Sequence, residues 1–147
     1  MSRLTKPLLY ASAVECEQAF YEALEGGDAE AVAELWLDDD DVCCVHPNGP
    51  RLLGYAAVVA SWRAILANGP VRVRPSARKA LDTPMVTLHN VVEEIVVGEG
   101  AERQVVHVIA TNAYLKTPAG WKMVLHHACA APGGQARDVE VPVGPLH

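Results

Sequence analysis

No stretch of the 147 residues approaches the roughly 18 consecutive apolar positions that a membrane-spanning helix needs. The opening run MSRLTKPLLYASA also lacks a signal-peptide core, because LLYA is too short for one. A cytoplasmic protein that contacts no membrane is therefore expected. A basic stripe is missing too. Lys and Arg number 12 against 18 Asp and Glu, a net charge of −6, and the local run VRVRPSARK alternates with apolar residues like a solvated strand face. Phosphate backbones need clustered cations, so nucleic acid is not expected as a partner. The four cysteines (Cys16, Cys43, Cys44 and Cys129) have no framework spacing, which implies reduced thiols, with Cys129 inert in an apolar strand end. No nucleophile elbow, phosphate loop or dinucleotide fingerprint occurs, and no cofactor is expected.

What remains is enough for one globular domain over residues 1–147, half of it hydrophobic and a fifth charged. Ser12 and Glu15 form an S-x-x-E capping box, followed by Ala13, Cys16, Phe20 and Leu24 at helical spacing. GGD at 26–28 ends that helix and offers Asp28 as the next N-cap, ahead of Val32, Leu35 and Trp36. A third helix starts near Gly54, carries Val58, Trp62, Ile65 and Leu66 on one face, and stops at NGP. Beyond it, VRVRPSARKAL, MVTLHNVVEEIVV, RQVVHVIATNAYLK and WKMVLHHACA read as strands joined by hairpin-length turns. With VCCVH added, the order is α-α-β-α-β-β-β-β, an α+β arrangement with the helices first. The folded core is expected over 12–131, and 132–147, rich in Gly and Pro, reads as a mobile tail.

The densest stretch is DDDDVCCVHPNGPRLLG, Asp38 to Gly54. Cys44 and His46 share one strand face while Cys43 points away, which is half of a zinc site with nothing to complete it. Counted from Asp38, the calcium-loop positions that require Gly and Glu hold Cys43 and Gly49. No metal is expected, and the aspartates read as a solvated loop.

Three segments together, AFYEALEGGDAEAVAELW, DDDDVCCVHPNGPRLLGYAAVVASW and ATNAYLKTPAGWKMVLHHACA, resemble SnoaL-like proteins of the NTF2-like superfamily. The resemblance spans residues 12–131. It implies a cone: three N-terminal helices packed in a curved mixed or antiparallel sheet, a conical apolar pocket, and a homodimer through the sheet's outer face. The superfamily includes ketosteroid isomerase, polyketide cyclases, dehydratases and non-catalytic binding or assembly domains, so fold alone leaves function open. In ketosteroid isomerase an Asp-Pro after the first strand supplies the general base. Here His46 precedes Pro47 in the matching place, and an imidazole there could move a proton or merely bond the turn.

An unbroken last hairpin, with Lys116 opposite Trp121, would pair Asn112 with Leu125 and Ala110 with His127. Asn112, Tyr114 and His127 then face the helices, and His107, Ile109, Ala113, Val124, His126 and Ala128 face outward. Asn112 and His127 either satisfy each other or face a cavity. His89 and Glu93 share a face. The length of the next loop decides whether His89 aligns with His107 and His126 or with His127, that is, with the dimer face or the pocket. Trp62 is the best aromatic lining candidate among Trp36, Tyr55 and Trp62.

Two functional classes follow from these residues and the resemblance. One is an acid–base enzyme of isomerase, cyclase or dehydratase type acting on a small apolar carbonyl compound. His46 and His127 would be catalytic in it, with Trp62, His89, Asn112 and Tyr114 binding the ligand. The other is a non-catalytic ligand-binding or homo-oligomeric assembly domain. In either class His46, Asn112 and His127 should line one cavity.

Overall fold

The computed structural model describes residues 9–141. Helix α1 (Ala13–Glu25) begins at Ser12, whose hydroxyl accepts from the Glu15 N–H at 3.1 Å. Helix α2 (Ala29–Leu35) begins at Asp28, which accepts from the Ala31 N–H at 3.0 Å. Both caps are the side-chain oxygens the sequence offers for otherwise unpaired amides. The acidic run forms an exposed turn, with the Asp39 carboxylate accepting from the Asp41 N–H. The short strands β1 (Cys43–Val45) and β2 (Arg51–Leu53) follow it, then α3 (Tyr55–Leu66). Four long strands complete the chain: β3 (Val73–Asp82), β4 (Val86–Val97), β5 (Gln104–Thr117) and β6 (Gly120–Ala130).

One six-stranded sheet runs β2-β1-β6-β5-β4-β3. It is mixed, because β1 lies parallel to β6 while the other neighbours are antiparallel. β2 was not anticipated; three residues between a turn and a helix leave no readable alternation. The helices cover one sheet face, and the core between them holds Cys16, Phe20, Leu35, Cys44, Trp62, Tyr114 and Met123. No helix among the described residues is long and apolar enough to cross a membrane.

Two irregularities in the ladder decide which side chains enter the core. In β6, Met123 pairs with Tyr114 and Leu125 with Ala113, so Val124 is an extra residue. In β3, Ser76 pairs with Val92 but Lys79 with Asn90, so two residues, Ala77 and Arg78, oppose Val91, and Ala77 sits at φ 52°. Each bulge reverses the in/out alternation beyond it. In β6 the buried positions accordingly change from Trp121 and Met123 to His126 and Ala128. This corrects the expected hairpin register: Asn112 faces His126, Ala110 faces Ala128, and His127 is exposed.

Of the expected tail, Ala136 donates its N–H to His107 Nδ1 at 2.9 Å, which ties residues 132–136 back to β5. Residues 142–147 lie outside the described residues.

Candidate functional site

The corrected register lines up one polar rung across the sheet. His89 on β4 pairs with Asn112 on β5, Asn112 with His126 on β6, and His126 with Cys44 on β1. All four are essentially buried. Buried polar groups need partners, and α1 supplies them. Glu17, 1% exposed, lies on the helix's apolar stripe beside Cys16 and Phe20. Its Oε2 accepts from the Tyr114 hydroxyl at 2.6 Å, His89 Nδ1 at 2.9 Å and Asn112 Nδ2 at 3.2 Å. Its Oε1 accepts from Arg78 at 3.2 Å, and Arg78 reaches inward because of the β3 bulge.

One turn along α1, the Tyr21 hydroxyl accepts from Asn112 Nδ2 at 3.0 Å and donates to Glu93 Oε2 at 2.8 Å. Burial raises Glu93 to about 7; the Tyr21 hydrogen bond opposes that rise and the Glu17 charge adds to it. Asn112 Oδ1 accepts from His126 Nδ1 at 2.6 Å. Burial, then the His46 and His127 imidazoles, lower His126 to about 3.

A small cavity of about 150 Å³ opens beside this network, between α1, α3 and the sheet. Its apolar wall includes Leu24, Trp62, Ile65, Val71 and Ile95, and its titratable groups are His46, Glu93 and His126. His46 stands at the lip next to Pro47, with its ring edge-on to Trp62 at 4.6 Å. Ser61 directs its hydroxyl to the Val58 carbonyl, so His46 Nε2 donates to Ser61 Oγ at 2.9 Å and Nδ1 is left unprotonated. Burial lowers the His46 pKa, which keeps the ring neutral. The Trp62 indole N–H is sealed in the protein without a partner. Larger surface grooves of about 330, 360 and 410 Å³ contain no histidine.

The site expected from sequence is thus partly rearranged. His46 and Trp62 line the cavity. His127 does not, and His126 stands in its place because Val124 bulges. Asn112 and Tyr114 face inward but lie behind the cavity wall, bonded to Glu17. His89 faces the same interior rather than the outer sheet face, bound to Glu17, with Nε2 unpartnered. Trp36 is core, and Tyr55 bonds the Ala33 carbonyl. The reading missed Glu17, Tyr21 and Arg78. A carboxylate at i+4 from Ala13 on an apolar helix stripe was the available signal for the first. Cys44, beside His46, is raised by burial to about 12 and stays a thiol. Among the described residues no three His, Cys, Asp or Glu converge as metal ligands would.

The family described as SnoaL-like domain matches residues 14–132. A proposed calcium/calmodulin-dependent protein kinase type II association domain from Thiobacillus denitrificans is 32% identical, with TM-score 0.77, covering 84% of this chain and 98% of its own. A proposed dehydratase of the NTF2-like family from Streptomyces avermitilis is also 32% identical, with TM-score 0.70, covering 79% and 91%. An NTF2-like protein of unknown function from Pseudomonas putida shares the fold at 16% identity, with TM-score 0.71 over 88% and 93%. Among curated proteins, the F-box protein SKIP8 of Arabidopsis thaliana matches over 44 residues at 36% identity; the match spans 30% of this chain and 19% of that protein.

Proposed function

This chain belongs to the SnoaL-like domain family of the NTF2-like superfamily, and we propose on that footing that it binds a small apolar carbonyl compound and moves a proton on it. The observation that carries the reading is Glu93. It lines a small apolar cavity, and burial brings its carboxyl to about 7, where both protonation states are populated at neutral pH. A proton-transfer group is most effective when its pKa lies near the working pH. The Glu93 carboxylate takes a proton from the carbon beside the carbonyl, which is the opening step shared by isomerase, cyclase and dehydratase chemistry. The protonated carboxyl then gives it back to another carbon in isomerisation, to the new alkoxide in cyclisation, or to the departing hydroxide in dehydration. Tyr21 holds one carboxylate oxygen in place, and the neutral His46 at the lip offers a second acceptor. His126, lowered to about 3, is neutral at neutral pH: it keeps one ring proton, takes up no second one, and can accept a hydrogen bond. A cavity of about 150 Å³ takes a single six-membered ring, since an apolar cavity of ~150 Å³ is known to hold benzene.

The test is deuterium exchange into cyclohexanone and cyclohex-3-enone followed by NMR. Wild type should exchange the protons beside the carbonyl, with a rate that rises with pH through about 7. Glu93→Gln should lose roughly 10²-fold or more. Exchange at the buffer rate for both ketones with wild type would overturn the reading.

A second reading, assembly, has its own observation. The outer sheet face shows Val86, Leu88 and Val105 at 39%, 39% and 48% exposure, and one 32%-identical relative is a proposed association domain. A homodimer through that face is compatible with a working cavity, because the two lie on opposite sides of the sheet.

A further inference from the structure

The hydrogen bonds behind the cavity fix which nitrogen of His126 carries its proton, and that in turn selects the ligand. Glu17 can only accept, and its Oε2 already receives Tyr114, His89 and Asn112. The Asn112 amide therefore has one tenable orientation. Its NH₂ must face Glu17 Oε2 and the Tyr21 oxygen, since the flipped amide would set its carbonyl against a carboxylate. Oδ1 is left facing His126 Nδ1 at 2.6 Å. A carbonyl only accepts, so Nδ1 holds the hydrogen. His126 carries a single proton at neutral pH, and Nε2 is a bare lone pair. Among the described residues that nitrogen has no partner; it is not sealed from the cavity, and it belongs to a ring that walls it.

We infer that Glu17, acting through Asn112, is a positioning residue that makes His126 Nε2 a fixed hydrogen-bond acceptor inside the cavity. The ligand is then an uncharged, ring-sized molecule bearing a hydroxyl that donates to Nε2. Anions are turned away by the Glu93 carboxylate and by the His126 lone pair, and among the described residues no cationic side chain lines the cavity to offset them. A hydrocarbon of the same size leaves the lone pair unpaired. This inference rests on the cavity being the ligand site, and it adds the substrate class.

Two measurements test it on the full chain. Long-range ¹H–¹⁵N correlation at pH 7 should show His126 protonated at Nδ1 with Nε2 bare. Glu17→Gln, whose amide no longer dictates the Asn112 orientation, should show a mixture of tautomers. Calorimetric titration should then give phenol roughly tenfold tighter binding than toluene, and no binding of benzoate. An Nε2-protonated wild type overturns the inference, as does equal affinity for phenol and toluene. Should Glu17→Gln fail to fold, the wild-type tautomer and the phenol–toluene pair still decide. Phenol preference without ketone exchange sinks only the catalytic reading, and exchange without phenol preference sinks only this one. If none of the three compounds binds and no ketone exchanges, both fall.

Discussion

Replacing Glu93 by Gln should change how stability depends on pH, and by a calculable amount. In the folded protein the carboxyl moves from an ordinary 4.5 to about 7. At about 1.4 kcal/mol per pH unit, that is about 3 kcal/mol. Its pKa is raised, so the native state holds a proton that the unfolded chain has released. The Glu93 contribution to the unfolding free energy therefore falls as pH rises from 4.5 to about 7 and is constant outside that window. His126 acts in the opposite sense. Its pKa drops from 6.5 to about 3, so its contribution rises with pH between about 3 and 6.5. The two nearly cancel between pH 4.5 and 6.5 in wild type. In Glu93→Gln the amide carbonyl still accepts from Tyr21, and only the His126 slope remains. The variant-minus-wild-type stability, from urea titrations followed by tryptophan fluorescence, should grow by about 3 kcal/mol from pH 4.5 to 7. A difference curve flat to within about 1 kcal/mol would refute a raised Glu93, and with it the basis for proton transfer there.

Two further outcomes follow from packing. Phe20 is fully buried and meets the rings of Tyr21, Trp62 and His126 at 4.9, 5.5 and 5.4 Å, so Phe20→Ala should cost about 3–5 kcal/mol in the same urea assay; a loss under about 1 kcal/mol would mean this aromatic wall is not packed as described. Sedimentation at micromolar concentration should show a species near twice the 15.8 kDa chain mass, and Leu88→Glu should shift it toward monomer; a wild-type monomer would exclude the homodimer.

The elements were legible because their signals are local. Ser12 and Asp28 cap helices as written, and β-branched runs became strands. Trp62 reached the cavity because the helical periodicity of α3 sets its facing, and His46 because it follows β1 directly, before Pro47, where the family resemblance placed it. The failures come from two sources. Strand parity is assumed to persist, and one extra residue at Val124 exchanged His127 for His126. Nothing in AYLKTPAGWKMVLHHA announces that bulge, since no glycine marks it. Partner choice is the other source. Glu17 meets His89, Asn112 and Tyr114 from residues 72, 95 and 97 positions away, and helix periodicity does not report which strand will face it.

The Val124 bulge also bears on how the last hairpin finds its place during folding. From the Thr117–Gly120 turn up to Tyr114 and Met123, regular and bulged pairings share every rung, and they diverge only beyond. Nothing within those first rungs favours one continuation over the other, and the regular one would bury Leu125 and His127 instead of His126. What separates them is distant in sequence: Cys44 pairing beside His126, and Glu17 turning Asn112 toward its ring. Commitment of β6 to its native register therefore waits for α1 and β1 to arrive. The group that shapes the cavity is the same one that arbitrates between the two hairpin registers.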